Sequence, residues 1–158
     1  MKKPFLVCAL LFSMILPATA GELHPFGRGE MQRILEARQG RPFALLLWSI
    51  DCPYCKVLMD RLVALARENP KLDLVAVSTD GIEEPQAILA VLEAHGLGRR
   101  ATWAFAGDSP ERLRYEIDRR WSGELPRTYL FDAGHRFVAF SGPLPETAVQ
   151  AWLAQRSK

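Results

Sequence analysis

The chain has 158 residues, 24% of them charged, with a formal net charge of +2 and three cysteines. That length fits one domain with a sizeable core. Three cysteines are too few for a disulfide scaffold, and a nearly balanced charge lacks the electrostatic footprint of a nucleic-acid binder.

The N-terminus reads as a secretory signal. Lys2 and Lys3 form a positive n-region, Phe5 to Leu16 an apolar run too short to span a bilayer, and Ala18-Thr19-Ala20 a small-x-small cleavage site. Cleavage after Ala20 is expected, which divides the chain into a signal, 1–20, and one domain, 21–158. The cut removes Cys8, both of those lysines and no acid, so the exported domain is formally neutral and keeps one cysteine pair. An even, minimal cysteine count in an exported domain suggests a working pair.

Glu22 to Gly29 reads as a loose lead-in. Glu30 to Gln39 has apolar spacing at Met31, Ile34 and Leu35 and stops at Gly40, which predicts a helix. Phe43 to Trp48 is almost wholly apolar, as in a central strand buried on both faces. Cys52-Pro53-Tyr54-Cys55 follows, and Lys56 to Ala66 continues as a helix ending near Asn69-Pro70. Leu72 to Ser78 is a second strand, and Glu84 to His95 a helix with Pro85 in its first turn and Gly96 at its end. Ala101 to Ala106 is a short strand. Asp108, with Glu111 three residues on, predicts a capping box for a helix reaching about Arg120. Thr128 to Phe131 and Phe137 to Phe140 form a hairpin around Asp132-Ala133-Gly134-His135, and Pro145 to Gln155 closes the chain as an amphipathic helix. The alternation of strands and helices implies a parallel sheet covered by helices, made mixed by the terminal hairpin.

The most informative element is the Cys52/Cys55 pair. A helix N-terminus leaves backbone N–H groups unpaired and carries partial positive charge, and both favour a thiolate on the first cysteine. The second cysteine, one turn on, is close enough to close a disulfide. Zinc would need four ligands; His24, His95 and His135 show no paired spacing, so no resident metal or other cofactor is expected.

From about residue 30 to 155 the chain resembles the thioredoxin fold, and more closely the periplasmic TlpA/ResA-type thiol-disulfide oxidoreductases. Trp48, four residues before Cys52, resembles the family's strand-end tryptophan, and Leu125-Pro126-Arg127-Thr128-Tyr129-Leu130-Phe131-Asp132 its cis-proline strand. Glu84 to Ala106 resembles the helix-strand insertion of TlpA-like proteins. The resemblance implies an α/β fold with a mixed central sheet of about five strands. It also implies that Cys52 attacks a substrate disulfide, that Cys55 resolves the mixed disulfide, and that a cis Pro126 faces them. Trp48, Pro53, Tyr54 and Leu125 would shape the site or touch substrate.

Several positions depart from the family pattern. The buried carboxylate that thioredoxins place six residues before the first cysteine is Leu46 here, and the glutamate that TlpA/ResA proteins often place six residues after it is Leu58. Asp51 directly precedes Cys52 and should oppose the helix dipole unless it points outward as a helix cap; Lys56 and Arg127 could offset it. Pro53-Tyr54 is closer to glutaredoxins and DsbA-like oxidants.

The expectation is therefore an exported, periplasmic thiol-disulfide oxidoreductase acting on protein thiols or disulfides. A reductant role, as in cytochrome c maturation, leads and calls for a membrane electron donor. The alternatives are a DsbA-like oxidant, which would need an acceptor, and a Cu(I) metallochaperone using the same thiolates. Peroxidase chemistry ranks lower, because no peroxidase-type Thr and Arg setting precedes Cys52.

Overall fold

The computed structural model describes residues 22–70 and 72–155. The expected signal segment, with its cleavage site, lies outside the described residues. Eleven elements follow one another: β1 (Leu23–Phe26), α1 (Glu30–Glu36), β2 (Phe43–Trp48), α2 (Pro53–Glu68), β3 (Asp73–Gly81), α3 (Pro85–Ala94), β4 (Thr102–Phe105), α4 (Pro110–Ile117), β5 (Arg127–Phe131), β6 (Phe137–Ser141) and α5 (Glu146–Gln155).

The strands form one six-stranded sheet in the order β1-β4-β3-β2-β5-β6. β1, β4, β3 and β2 run parallel, while β5 is antiparallel to β2 and β6 to β5. The sixth strand is β1, in the segment expected to be a loose lead-in. Its four residues are held by parallel pairing to β4, from Leu23↔Thr102 to Phe26↔Phe105. A strand this short, with a proline inside it, carries little local signal and is specified by its partner.

All six residues of β2 are buried, because helices cover both faces of the sheet. Its side chains alternate between two cores, as the strand period requires. Ala44, Leu46 and Trp48 join Leu58, Met59 and Leu62 of α2, Ile88 and Leu92 of α3, and Val149 and Trp152 of α5. Phe43, Leu45 and Leu47 join Met31 and Ile34 of α1, Leu113 of α4, and Trp103, Tyr129 and Phe131. Burying such a side chain contributes about 1.5–3 kcal/mol, so each face of β2 is anchored independently.

The expected Asp108 capping box is not formed. Ser109 occupies the N-cap of α4 without a side-chain cap bond. Asp108 instead pairs with Arg28 at 2.6 Å and Arg112 at 3.4 Å. Asp108 also accepts the neighbouring Ser109 N–H at 2.8 Å, so its two oxygens are engaged by the arginines and by the N-cap residue itself.

Candidate redox site

The site lies where the C-terminal end of β2 meets the start of α2. The backbone turns through Ser49–Cys52, closed by the Cys52 N–H to the Ser49 carbonyl at 3.2 Å. Cys52 is the N-cap of α2, and its Sγ accepts the Cys55 N–H at 3.1 Å. Pro53 fills the first helical position, where its missing N–H costs nothing. The cap is the sulfur of Cys52 and not Asp51, which is exposed.

Cys52 and Cys55 are disulfide-bonded, with an S–S distance of 2.07 Å and Cα atoms 5.3 Å apart. The two sulfurs differ in their surroundings. Cys52 is half-buried, whereas Cys55 is fully buried in the same apolar core as Leu46, Trp48 and Leu58. The positions that could have held a carboxylate are thus built into the wall around Cys55. Cys52 is therefore the more exposed of the two cysteines.

The antiparallel pairing of β5 with β2 sets Leu47 opposite Arg127, so Pro126 lies beside the C-terminal end of β2. The Leu125–Pro126 bond is cis. Pro126 joins Tyr54, Val57, Leu58, Arg61, Gly142, Pro143 and Leu144 around a groove of about 120 Å³. Tyr54 and Val57 stand well out of the surface, 75% and 69% exposed, and so belong to the rim of the groove and not to the core. The one charged lining residue, Arg61, is already engaged by the Leu144 carbonyl and by Glu146. Leu125 packs partly buried between the two cores, and Trp48 is fully buried as a wall.

Arg127 does not serve as a counter-charge to Asp51. Its guanidinium bonds Asp118 at 3.0 Å and the Ser141 hydroxyl at 2.7 Å, and approaches Glu124 at 3.4 Å. It also lies over the Tyr129 ring, 5.0 Å from the centroid. The Tyr129 hydroxyl donates to Asp118 at 3.2 Å. Burial pushes the Asp118 carboxyl up, but the Arg120 N–H, the Arg127 guanidinium and the Tyr129 hydroxyl outweigh it, and the net shift is downward. Burial drives the Tyr129 phenol well above its ordinary range, only partly countered by Arg127. Asp118 was not singled out from sequence: it ends α4, nine residues from its partner, and no local pattern links them.

A second set of polar groups also escaped sequence reading. The Asp80 carboxylate accepts the Ile50 N–H at 2.8 Å and the Ser78 hydroxyl at 2.6 Å. The Thr79 hydroxyl donates to the Trp48 carbonyl at 3.3 Å. The run Ser78-Thr79-Asp80-Gly81 after an apolar strand was the available signal.

The histidines lie elsewhere. His95 Nδ1 pairs with Asp60 at 2.7 Å, and His135 Nε2 sits 3.0 Å from the Arg38 carbonyl.

No family model and no curated protein matches the chain. Solved structures do. A secreted Mycobacterium tuberculosis disulfide oxidoreductase homologous to E. coli DsbE superposes with a TM-score of 0.59 at 18% identity, covering 75% of this chain and 84% of that one. StoA from Bacillus subtilis gives 0.55 at 19% identity, over 73% and 84%. The thioredoxin domain of a thiol-disulfide oxidoreductase from Bacteroides vulgatus gives 0.58 at 13% identity, over 77% and 82%. The chain has a thioredoxin-like fold. At these identities the likeness is one of fold, and the chemistry rests on the residues themselves.

Proposed function

We propose that the protein is an exported thiol-disulfide oxidoreductase whose working dithiol is Cys52 and Cys55. One observation carries this reading: the sulfur of a half-buried cysteine caps a helix N-terminus, is bonded to that of a buried cysteine one turn on, and stands beside an apolar groove. The likeness in fold to a secreted disulfide oxidoreductase supports it.

In the reducing direction the Cys52 thiolate attacks one sulfur of a substrate disulfide, and the other leaves as a thiolate that takes up a proton. Cys55 then gives up its proton and attacks Cys52, releasing the second substrate thiol and closing the Cys52–Cys55 disulfide. Two electrons have passed to the substrate, and a dithiol donor must restore the pair. Pro126 and Tyr54 line the groove in which the substrate chain lies, Leu125 anchors the cis bond between the cores, and Trp48 and Pro53 hold the wall and the helix start. We take a protein disulfide as the substrate, a membrane dithiol as the electron donor, and the periplasm as the location, with the mature domain starting at Gly21.

The oxidising direction is favoured by a different observation: Cys55 is buried in an apolar core to which Leu46 and Leu58 also belong, and neither position carries the family's carboxylate to take its proton. Measuring the Cys52–Cys55 potential decides direction, since known dithiol proteins span roughly −270 to −120 mV. A value near the low end makes it a reductant and one near the high end an oxidant. Insulin-disulfide reduction should be abolished in Cys52→Ser, and Cys55→Ser should accumulate mixed disulfides. If Cys52→Ser traps substrate and Cys55→Ser does not, the roles are reversed. Stoichiometric Cu(I) retention after anaerobic purification, with no disulfide exchange, would replace the reading by metal transfer.

A further inference from the structure

β3 is irregular at one place only along its pairing with β4. Ser78 pairs with Ala104, but the next pair is Gly81 with Phe105, so Thr79 and Asp80 are extra residues against a regular partner. A bulge re-aims side chains, and bulges gather beside functional loops. Here both bulged residues turn toward the segment between β2 and Cys52. Thr79 Oγ1 donates to the Trp48 carbonyl, the last of β2, at 3.3 Å. Asp80 accepts the Ile50 N–H at 2.8 Å. Ile50 is the second residue of the turn that the Cys52 N–H closes onto Ser49.

Asp80 is itself fixed. The Ser78 hydroxyl donates to its carboxylate at 2.6 Å and lies 3.1 Å from the Asp80 backbone N–H, with Ser78 fully buried. A partly buried carboxylate held by a buried hydroxyl keeps its place against thermal motion better than a free surface acid does. The turn it grips delivers Cys52 to the N-cap position, where its sulfur faces the Cys55 N–H. Stabilisation of a thiolate by a helix N-terminus falls off within the first turn, so it depends on that placement.

We propose that Asp80 is a positioning residue for Cys52: the bulged end of β3 brackets the Trp48–Asp51 segment and holds the attacking sulfur on the N-terminus of α2. Asp80 touches no reacting atom and acts through Ile50. This rests on the dithiol chemistry proposed above.

The test separates charge from geometry. Asp80→Ala and Asp80→Asn both remove the negative charge, but only Asn keeps an acceptor for the Ile50 N–H. Asp51 and Lys56, the charged neighbours of Cys52 in sequence, are the same in both. The rate of Cys52 alkylation by iodoacetamide is followed against pH in reduced protein, with the modified peptide located by mass spectrometry. In Asp80→Ala the midpoint should lie about half a pH unit above that of Asp80→Asn, making alkylation below the midpoint roughly threefold slower. Coincident profiles for the two variants overturn the proposal. Should Asp80→Ala not fold, Ser78→Ala carries the test, since it frees the carboxylate without deleting it. A midpoint raised in the same direction supports the bracket, and a wild-type midpoint in folded Ser78→Ala overturns it. Insulin reduction by wild-type protein is run alongside. If it is absent, the functional reading falls and this role with it; if it is present while the Ala and Asn profiles coincide, only the positioning role falls.

Discussion

The two sides of the Cys52–Cys55 pair are built from opposite materials. On the α2 side, Cys55 is buried in an apolar core that includes Leu46, Trp48 and Leu58. On the β5 side, the strand that leaves Pro126 is backed by Asp118, Glu124, Arg127, Tyr129 and Ser141 in one bonded cluster. The core around the buried sulfur is apolar, and the charge is gathered behind the groove wall. The apolar side sets how readily Cys55 gives up its proton, because burial without a partner disfavours a thiolate. The polar side sets where the wall stands, because Arg127 and Tyr129 tie β5 to the end of α4 and to β6, and Ser141 ties β6 to Glu124 just before Pro126.

The comparison is broken most severely by removing the cation of the polar side. Arg127→Ala leaves Asp118, 9% exposed, without its ion pair, and the guanidinium is itself only 13% exposed. Breaking such a pair costs about 3 kcal/mol, far more than a surface pair would. Urea unfolding should register that loss. Exchange with a protein disulfide should slow as well, because Pro126 directly precedes the lost anchor. Unchanged stability would mean that the cluster is an ornament of the surface.

A charge placed on the apolar side sharpens the comparison from the other direction. Leu58 is three residues beyond Cys55 on α2, so its side chain lies on the same helix face. Leu58→Glu puts a proton acceptor next to Cys55 at the cost of a buried leucine. Stability should fall by about 2–3 kcal/mol. Resolution of a preformed mixed disulfide should quicken by about tenfold, below the roughly hundredfold that a fully positioned general base supplies. Stopped-flow decay of the mixed disulfide reads this step alone. A rate equal to wild type would show that Cys55 deprotonation is not limiting.

The difference between the two sides also explains what could be read from the chain in advance. β2, α2 and the Cys52/Cys55 pair announce themselves locally, through an unbroken apolar run and a spacing that means one thing at a helix start. The departures at Leu46 and Leu58 were equally legible, since they are defined by distance in sequence from Cys52. The polar side was not. Arg127 stood out as a loop cation beside Pro126, but its partner Asp118 is chosen by the way α4 returns toward β5. Asp80 was hidden for the same reason: a bulge exists only relative to the strand it pairs with, here β4. β1 was missed because its four residues have little strand character until β4 lies alongside. The cap of α4 went to Ser109 because Arg28, eighty residues away in sequence, claims Asp108.

The smallest expected effect concerns pH. The Asp118 carboxyl titrates below its ordinary value of about 3.9 in the folded protein, because Arg127, Tyr129 and the Arg120 N–H favour its charged form over the cost of burial. A carboxyl whose folded value is depressed binds its proton more readily when unfolded. Its stabilisation is therefore complete above the unfolded value and is lost as pH falls through the folded one. Asp118→Asn keeps the shape and one acceptor but has no charge to titrate. At pH 7 the variant should be less stable by about 1.5 kcal/mol, the scale of a hydrogen bond to a charged group. Below pH 4 the two proteins should converge, because the wild-type carboxylate is being protonated and its advantage withdrawn. Unfolding free energies for both, measured from pH 7 down to pH 2.5, give the difference directly. A gap that stays constant across that range would mean the Asn substitution acts through packing, and that the Arg127–Asp118 pair contributes nothing by its charge.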